Sequence, residues 1–213
     1  MAKKRFWKIE YSIILFAMFI IFLLFIPANM FSSKTASYIS KWNDTYNKID
    51  YMFTAMTTQA DENIVKGLNN AKSNQKREEL MILLTKPYLR INDSDEVTKR
   101  YRPHYMNGQL VKTNDLYFFN NYYRAKSGIV MGVKDLDNKD VFHPGFIMMF
   151  DMNGTKRPNV WGKDIYGVNI FSDGKISPIG SDWGLEDVKK DCSPRGRGVS
   201  CSHYYRIGGE IIE

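Results

Sequence analysis

Residues 6–31 read Phe6-Trp-Lys-Ile-Glu-Tyr-Ser-Ile-Ile-Leu-Phe-Ala-Met-Phe-Ile-Ile-Phe-Leu-Leu-Phe-Ile-Pro-Ala-Asn-Met-Phe31. No charge falls between Tyr11 and Ile26, and Ser12 is the one small polar residue there. An apolar helix of about 20 residues crosses a bilayer, so this stretch predicts a transmembrane helix over 9–31. Lys3, Lys4, Arg5 and Lys8 crowd its front. The positive-inside rule then keeps residues 1–8 as a basic cytoplasmic leader and places the rest outside. The expected location is a single-pass inner (cytoplasmic) membrane protein with membrane lipid as partner. A cleaved secretory signal would need small residues at its cut, and Ile26-Pro-Ala-Asn-Met30 offers a poor small-x-small site. A plain anchor fits the composition. Glu10 stands out, because a carboxylate at the edge of an apolar helix calls for a partner or a function.

The remainder of the 213 residues is long enough for one domain with a real core. The net charge is +7, of which the first ten residues supply +3 from four basic and one acidic side chain. The rest is only mildly basic, which makes nucleic acid an unlikely partner. Cys192 and Cys201 are the two cysteines. A close, even pair in an exported domain predicts a disulfide. The four-ligand spacing of a zinc site is missing.

Beyond the span, Ile39, Trp42, Tyr46, Ile49, Phe53 and Met56 recur at spacings of three and four, which is one apolar stripe on a helix. No Gly or Pro interrupts Phe31 to Val65, so span and stripe can form one helix that Pro27 kinks without ending. A second helix is expected after Ser73, stopping near Pro87, with Lys76-Arg-Glu-Glu79 on a solvated face. Residues 91–105 read as a loop. From Gly108 the pattern turns to β structure. A hairpin is predicted over Leu110–Phe119. Strands are predicted over Gly128–Val133 and Phe146–Phe150. A half-buried strand carrying Tyr166, Val168 and Ile170 should lead into an Asp173-Gly174 turn, with closing strands near Tyr204–Ile207 and Glu210–Ile212. The predicted class is α+β: an N-terminal transmembrane helix continuing into an amphipathic helix, packed on a small, mostly antiparallel sheet. The divisions are 1–8, 9–31, a helical stalk over 32–90, and a β-rich extracytoplasmic domain over 91–213.

Catalytic signatures are missing. The histidines are His104, His143 and His203, and the sequence contains no HExxH, GxSxG, GxxxxGK[ST] or GxGxxG pattern. Cys201 and His203 are neighbours in sequence, but a thiol nucleophile must be free, and Cys201 is expected to be oxidised. An enzyme is therefore not expected. Lys189, Lys190, Arg195, Arg197 and Arg206, with Tyr204 and Tyr205 beside them, are read as a solvated loop; exposed on a tip, they would offer a basic surface to DNA backbone or acidic polysaccharide.

Phe6, Glu10 and Pro27 resemble, in identity and spacing, the N-terminus of type IV pilins and type II secretion pseudopilins. Arg5 stands where that family has Gly, and Lys8 where it is apolar. Prepilin peptidase as a partner therefore depends on an atypical cleavage site before Phe6. A second block is similar to the C-terminal half of pilin-like proteins: Asp151, Asn153 and Gly154, then Pro158-Asn159, Gly162, Asp164 and Tyr166, then Asp173-Gly174 and the Cys192–Cys201 segment. The resemblance implies a structural subunit whose apolar helices pack with other pilin-like subunits into a filament core. In such a core Glu10 would neutralise the new N-terminal amine of a neighbour. It also implies a test for calcium. Lys156 and Gly162 fall where an EF-hand needs Gly and Glu, so that pattern is rejected, and a looser site of Asp151, Asn153 and Asp164 is left. The rival reading is a membrane-anchored extracytoplasmic module for carbohydrate or another ligand.

Overall fold

The computed structural model describes residues 3–59, 67–68, 70–92, 95–138 and 142–212, with side chains at these positions except 3–10, 22–33, 92, 95–96 and 98. Helix α1 spans Lys3–Gln59 and runs through Pro27 without a break. Its described apolar side chains cover Tyr11–Ile21, and described side chains resume at Lys34 in a polar, amphipathic stretch. Among the described residues no helix is long and apolar enough to cross a membrane. This corrects the predicted transmembrane span over 9–31 and the single-pass inner-membrane location. The side chains of Phe6, Glu10 and Pro27 lie outside the described residues.

The C-terminal part of α1 is amphipathic as its spacing demands. Trp42, Ile49, Met52, Phe53 and Met56 are buried, and Lys41, Asp44, Asn47, Lys48 and Asp50 are exposed. Helix α2, Asn74–Leu89, starts at Ser73, whose hydroxyl accepts from the Lys76 N–H at 3.2 Å. Pro87 lies inside its last turn, and Arg90 closes it in the left-handed conformation. The expected solvated face is only half right, because Arg77 and Glu78 are buried. They share four-residue rows with Met81, Thr85 and Ile82, and that face turns inward.

The sheet is a six-stranded antiparallel meander in chain order. Its strands are β1 Ile91–Asn92, β2 Tyr122–Ala125, β3 Val130–Asp135, β4 Pro144–Asp151, β5 Ile165–Phe171 and β6 Ile176–Pro178. Phe146, Met148 and Phe150 of β4 face α1 and α2, together with Tyr166, Val168 and Ile170 of β5. Ile147 and Met149 alternate to the opposite face. There they meet Trp161, Tyr117, Phe119, Val199 and Tyr101, so the central strands are buried on both sides rather than half-buried. Gly167 sits on that second face because a Cβ there would lie 2.6 Å from Ile179 Cδ1 and 3.0 Å from the Met148 carbonyl.

Three local expectations are corrected. Residues 91–105 contain β1 and a short helix α3, Asp95–Arg100. The Leu110–Phe119 hairpin is replaced by consecutive turns, in which Lys112 N–H donates to Asp115 Oδ2 at 2.8 Å. Tyr117 and Phe119 are spent on covering the second sheet face. After helix α4, Leu185–Asp191, the chain forms helix α5, Cys201–Tyr204, where closing strands were expected. Gly208 and Gly209 donate back to the Tyr205 and Tyr204 carbonyls and end that turn.

Candidate functional site

The resemblance block at 151–180 folds into one hub beneath α1. Trp42 of α1 stacks on Tyr166 of β5 with ring centroids 5.3 Å apart, and its indole N–H donates to the Ser202 carbonyl at 2.9 Å. Arg206 lies 4.1 Å over the Tyr46 ring and donates to Asn47 Oδ1 at 3.0 Å. At the far end of the contact, Gly174 in the β5–β6 turn allows Thr57 to approach; a Cβ would sit 2.4 Å from the threonine methyl. The predicted disulfide is present, joining Cys192 at the end of α4 to Cys201 at the start of α5 with Cα atoms 4.9 Å apart. Gly162 lies against it. A Cβ at Gly162 would meet Cys201 Sγ at 2.6 Å, and its φ of +82° suits glycine.

Asp151, Asn153 and Asp164 do come together, as the core of a hydrogen-bonded knot. Asp151 ends β4 and Asp164 precedes β5, and both are fully buried. Asp151 Oδ2 accepts from the Tyr101 hydroxyl at 2.5 Å and Oδ1 from Asn153 N–H at 3.0 Å; with the Asn159 amide turned so that its nitrogen faces Asp151, Oδ2 also accepts from it at 3.1 Å. Asp164 Oδ1 accepts from Val160 N–H at 2.6 Å. Its Oδ2 accepts from Asn159 N–H at 2.9 Å and from the Asn153 amide at 2.8 Å. All four carboxylate oxygens thus face N–H or O–H donors. Calcium requires six to eight oxygen ligands, and a cation here would have to displace these donors. Within this knot, Asn153 Oδ1 is the buried acceptor left with no hydrogen-bond partner. The donor set therefore does not fit calcium as it stands, and it works as a staple tying the 151–164 loop to α3 and the following turn. Tyr101 was not singled out in the sequence; Asn159 was, as a turn residue only, and its left-handed φ of +53° fits that turn.

Burial pushes the Asp151 carboxyl up to about 8, with the Asp164 charge as the next cause, while Asp164 is raised to about 6 by burial against the pull of its N–H donors. Both folded values lie above the ordinary 3.8. The folded state therefore holds these protons more tightly than the unfolded chain does. Their stabilisation is complete below the unfolded value and is lost as pH rises through 6 and 8. One proton changes stability by up to about 1.4 kcal/mol per pH unit, or roughly 3 °C in Tm for a domain of this size. The melting temperature should thus fall from about pH 4 to about pH 8 and level off above it. Asp151→Asn should flatten that fall, as a scanning-calorimetry series would register.

The basic C-terminal residues are partly consumed by the fold. Arg197 pairs with Asp191 at 3.5 Å and lies over the Tyr117 ring, and Lys189 pairs with Glu186 at 3.4 Å. Cys201, being disulfide-bonded, leaves His203 without a neighbouring thiol.

The other site candidate is the outer part of α1. Ile13, Leu15, Phe16, Met18 and Phe19 are each more than half exposed, and Tyr11–Ile21 is exposed on every side of the helix. No protein-family model, curated protein or solved structure matches the chain.

Proposed function

We propose that this chain is a pilin-like structural subunit that assembles by packing the outer part of α1 against the same helix of other subunits. The observation that carries this reading is a single helix with two unlike parts. Its inner part is clamped on the sheet through Trp42, while its outer part shows apolar side chains all round. A helix that is apolar on every side is stable when surrounded by other apolar surface. Burying each large side chain is worth about 1.5–3 kcal/mol, so several neighbours clustered round Tyr11–Ile21 would be held firmly. The disulfide and the knot at Asp151 and Asp164 then keep the sheet rigid behind the contact.

The test is disulfide trapping in the full chain. Ala17→Cys and Phe16→Cys, oxidised gently, should give a ladder of covalent oligomers. Lys112→Cys, at an exposed position outside α1, should stay monomeric. Monomer alone from both helix variants, together with a monomeric species in sedimentation, would refute self-assembly.

A further inference from the structure

A pit of about 410 Å³ opens where three segments converge: α1 at Tyr38 and Lys41, the β2–β3 turn at Arg124 and Ser127, and the loop after β4 at Asn153 and Thr155–Lys156. Among the described residues no acidic side chain lines it, whereas Lys41, Arg124 and Lys156 each bring a positive charge. Its hydroxyls are arranged as donors. The Asn153 amide donates to the Tyr38 hydroxyl at 3.3 Å, occupying an acceptor lone pair and leaving the phenolic proton to point elsewhere. Arg124 donates to Thr155 Oγ1 at 2.9 Å, with the same consequence for the threonine proton. Asn153 is itself held by Asp164 at 2.8 Å, so Tyr38 is positioned from the buried knot below. The carboxylates of that knot are sealed behind their own donors and do not open into the pit. A concave surface rich in donors and cations and poor in acceptors is complementary to an anion. An arginine fork beside lysines suits an oxyanion. The volume falls in the range of small-molecule sites and well exceeds a bare phosphate.

We propose that this pit binds a small oxyanion-bearing ligand, a phosphate or carboxylate carried on a sugar-sized group. The cations and the two oriented hydroxyls hold the charged end, and the remaining volume takes the attached group. This site is separate from the helix contact proposed above, since its residues on α1, Tyr38 and Lys41, lie beyond Tyr11–Ile21 in the part of the helix that packs on the sheet.

Titration calorimetry on the full chain tests it with glucose 6-phosphate, glucuronate and neutral glucose. Saturable binding is expected for at least one of the two charged sugars, and the tighter of them tells phosphate from carboxylate. Glucose should not compete. Lys41→Gln combined with Lys156→Gln changes two exposed side chains and should leave folding intact. It should weaken the charged sugar at least tenfold, and Arg124→Gln should weaken it further. Failure of both charged sugars to saturate at millimolar concentration would overturn the proposal. So would glucose binding as tightly, or an unchanged affinity in the folded double variant.

Discussion

Replacing Trp42 by alanine is expected to cost about 4 kcal/mol, the middle of the range for emptying a buried tryptophan site. Trp42 is fully buried, stacks on Tyr166, meets Tyr46 edge-on at 5.8 Å and donates to the buried Ser202 carbonyl. Truncation also strands that carbonyl, worth roughly 1–3 kcal/mol where no water reaches it. Domain stabilities are commonly about 5–15 kcal/mol, so the variant should sit near the edge of folding. Trp42→Phe keeps most of the packing and loses the hydrogen bond, and should cost about 1–2 kcal/mol. Urea melts of the three proteins measure this. A Trp42→Ala midpoint close to wild type would mean that the helix is not clamped here.

The second large effect concerns the buried pair between α2 and β3. Arg77 Nη1 lies 3.2 Å from Asp135 Oδ2, with the two side chains 4% and 0% exposed. The contact is charged but poorly aligned, since neither atom makes a hydrogen bond, and the guanidinium lies 5.0 Å over the Phe146 ring. Burial raises the Asp135 carboxyl above its usual range even with Arg77 beside it, so desolvation outweighs the attraction. Asp135→Asn leaves a buried guanidinium whose remaining ion pair among the described residues is with the exposed and more distant Asp137 at 3.6 Å, and should cost about 3–5 kcal/mol. Adding Arg77→Met removes the stranded charge and should recover most of that loss. A double-mutant cycle by urea denaturation decides it. If the double variant is no better than Asp135→Asn alone, the cost lies in packing and not in the charge.

Both residues show where sequence reading runs out. The three-four spacing from Trp42 to Met56 is enough to place a buried stripe on a helix, because helical geometry is local. The same spacing joins Arg77 to Met81 and Thr85, yet a run of four charges reads as solvated. Only the approach of Asp135 from β3 makes burial of Arg77 tolerable. The turn residues behave likewise. Asn153-Gly154 and Asp173-Gly174 declare turns by their own backbone preferences. That Asp151 and Asp164 share one buried knot depends on the β4–β5 pairing, which sets Asp151 opposite Ile165.

Local sequence suffices for the long amphipathic helix, the second helix begun by Ser73, the central strands at Val130–Val133 and Phe146–Phe150, the turn at Asp173-Gly174 and the cysteine pair. Each follows from local periodicity, turn chemistry or proximity along the chain. Tertiary structure alone decided that Tyr117 and Phe119 cover a sheet face rather than pair as a hairpin, and that the chain after Cys201 turns into a helix. It also decided that the carboxylates of the 151–164 loop face donors rather than an open cation position, and that Lys41, Arg124 and Lys156 meet round one pit. The physical reason is common to all of these. They depend on which surfaces meet across long sequence separations, and burial, charge and hydrogen-bond partners are properties of that meeting.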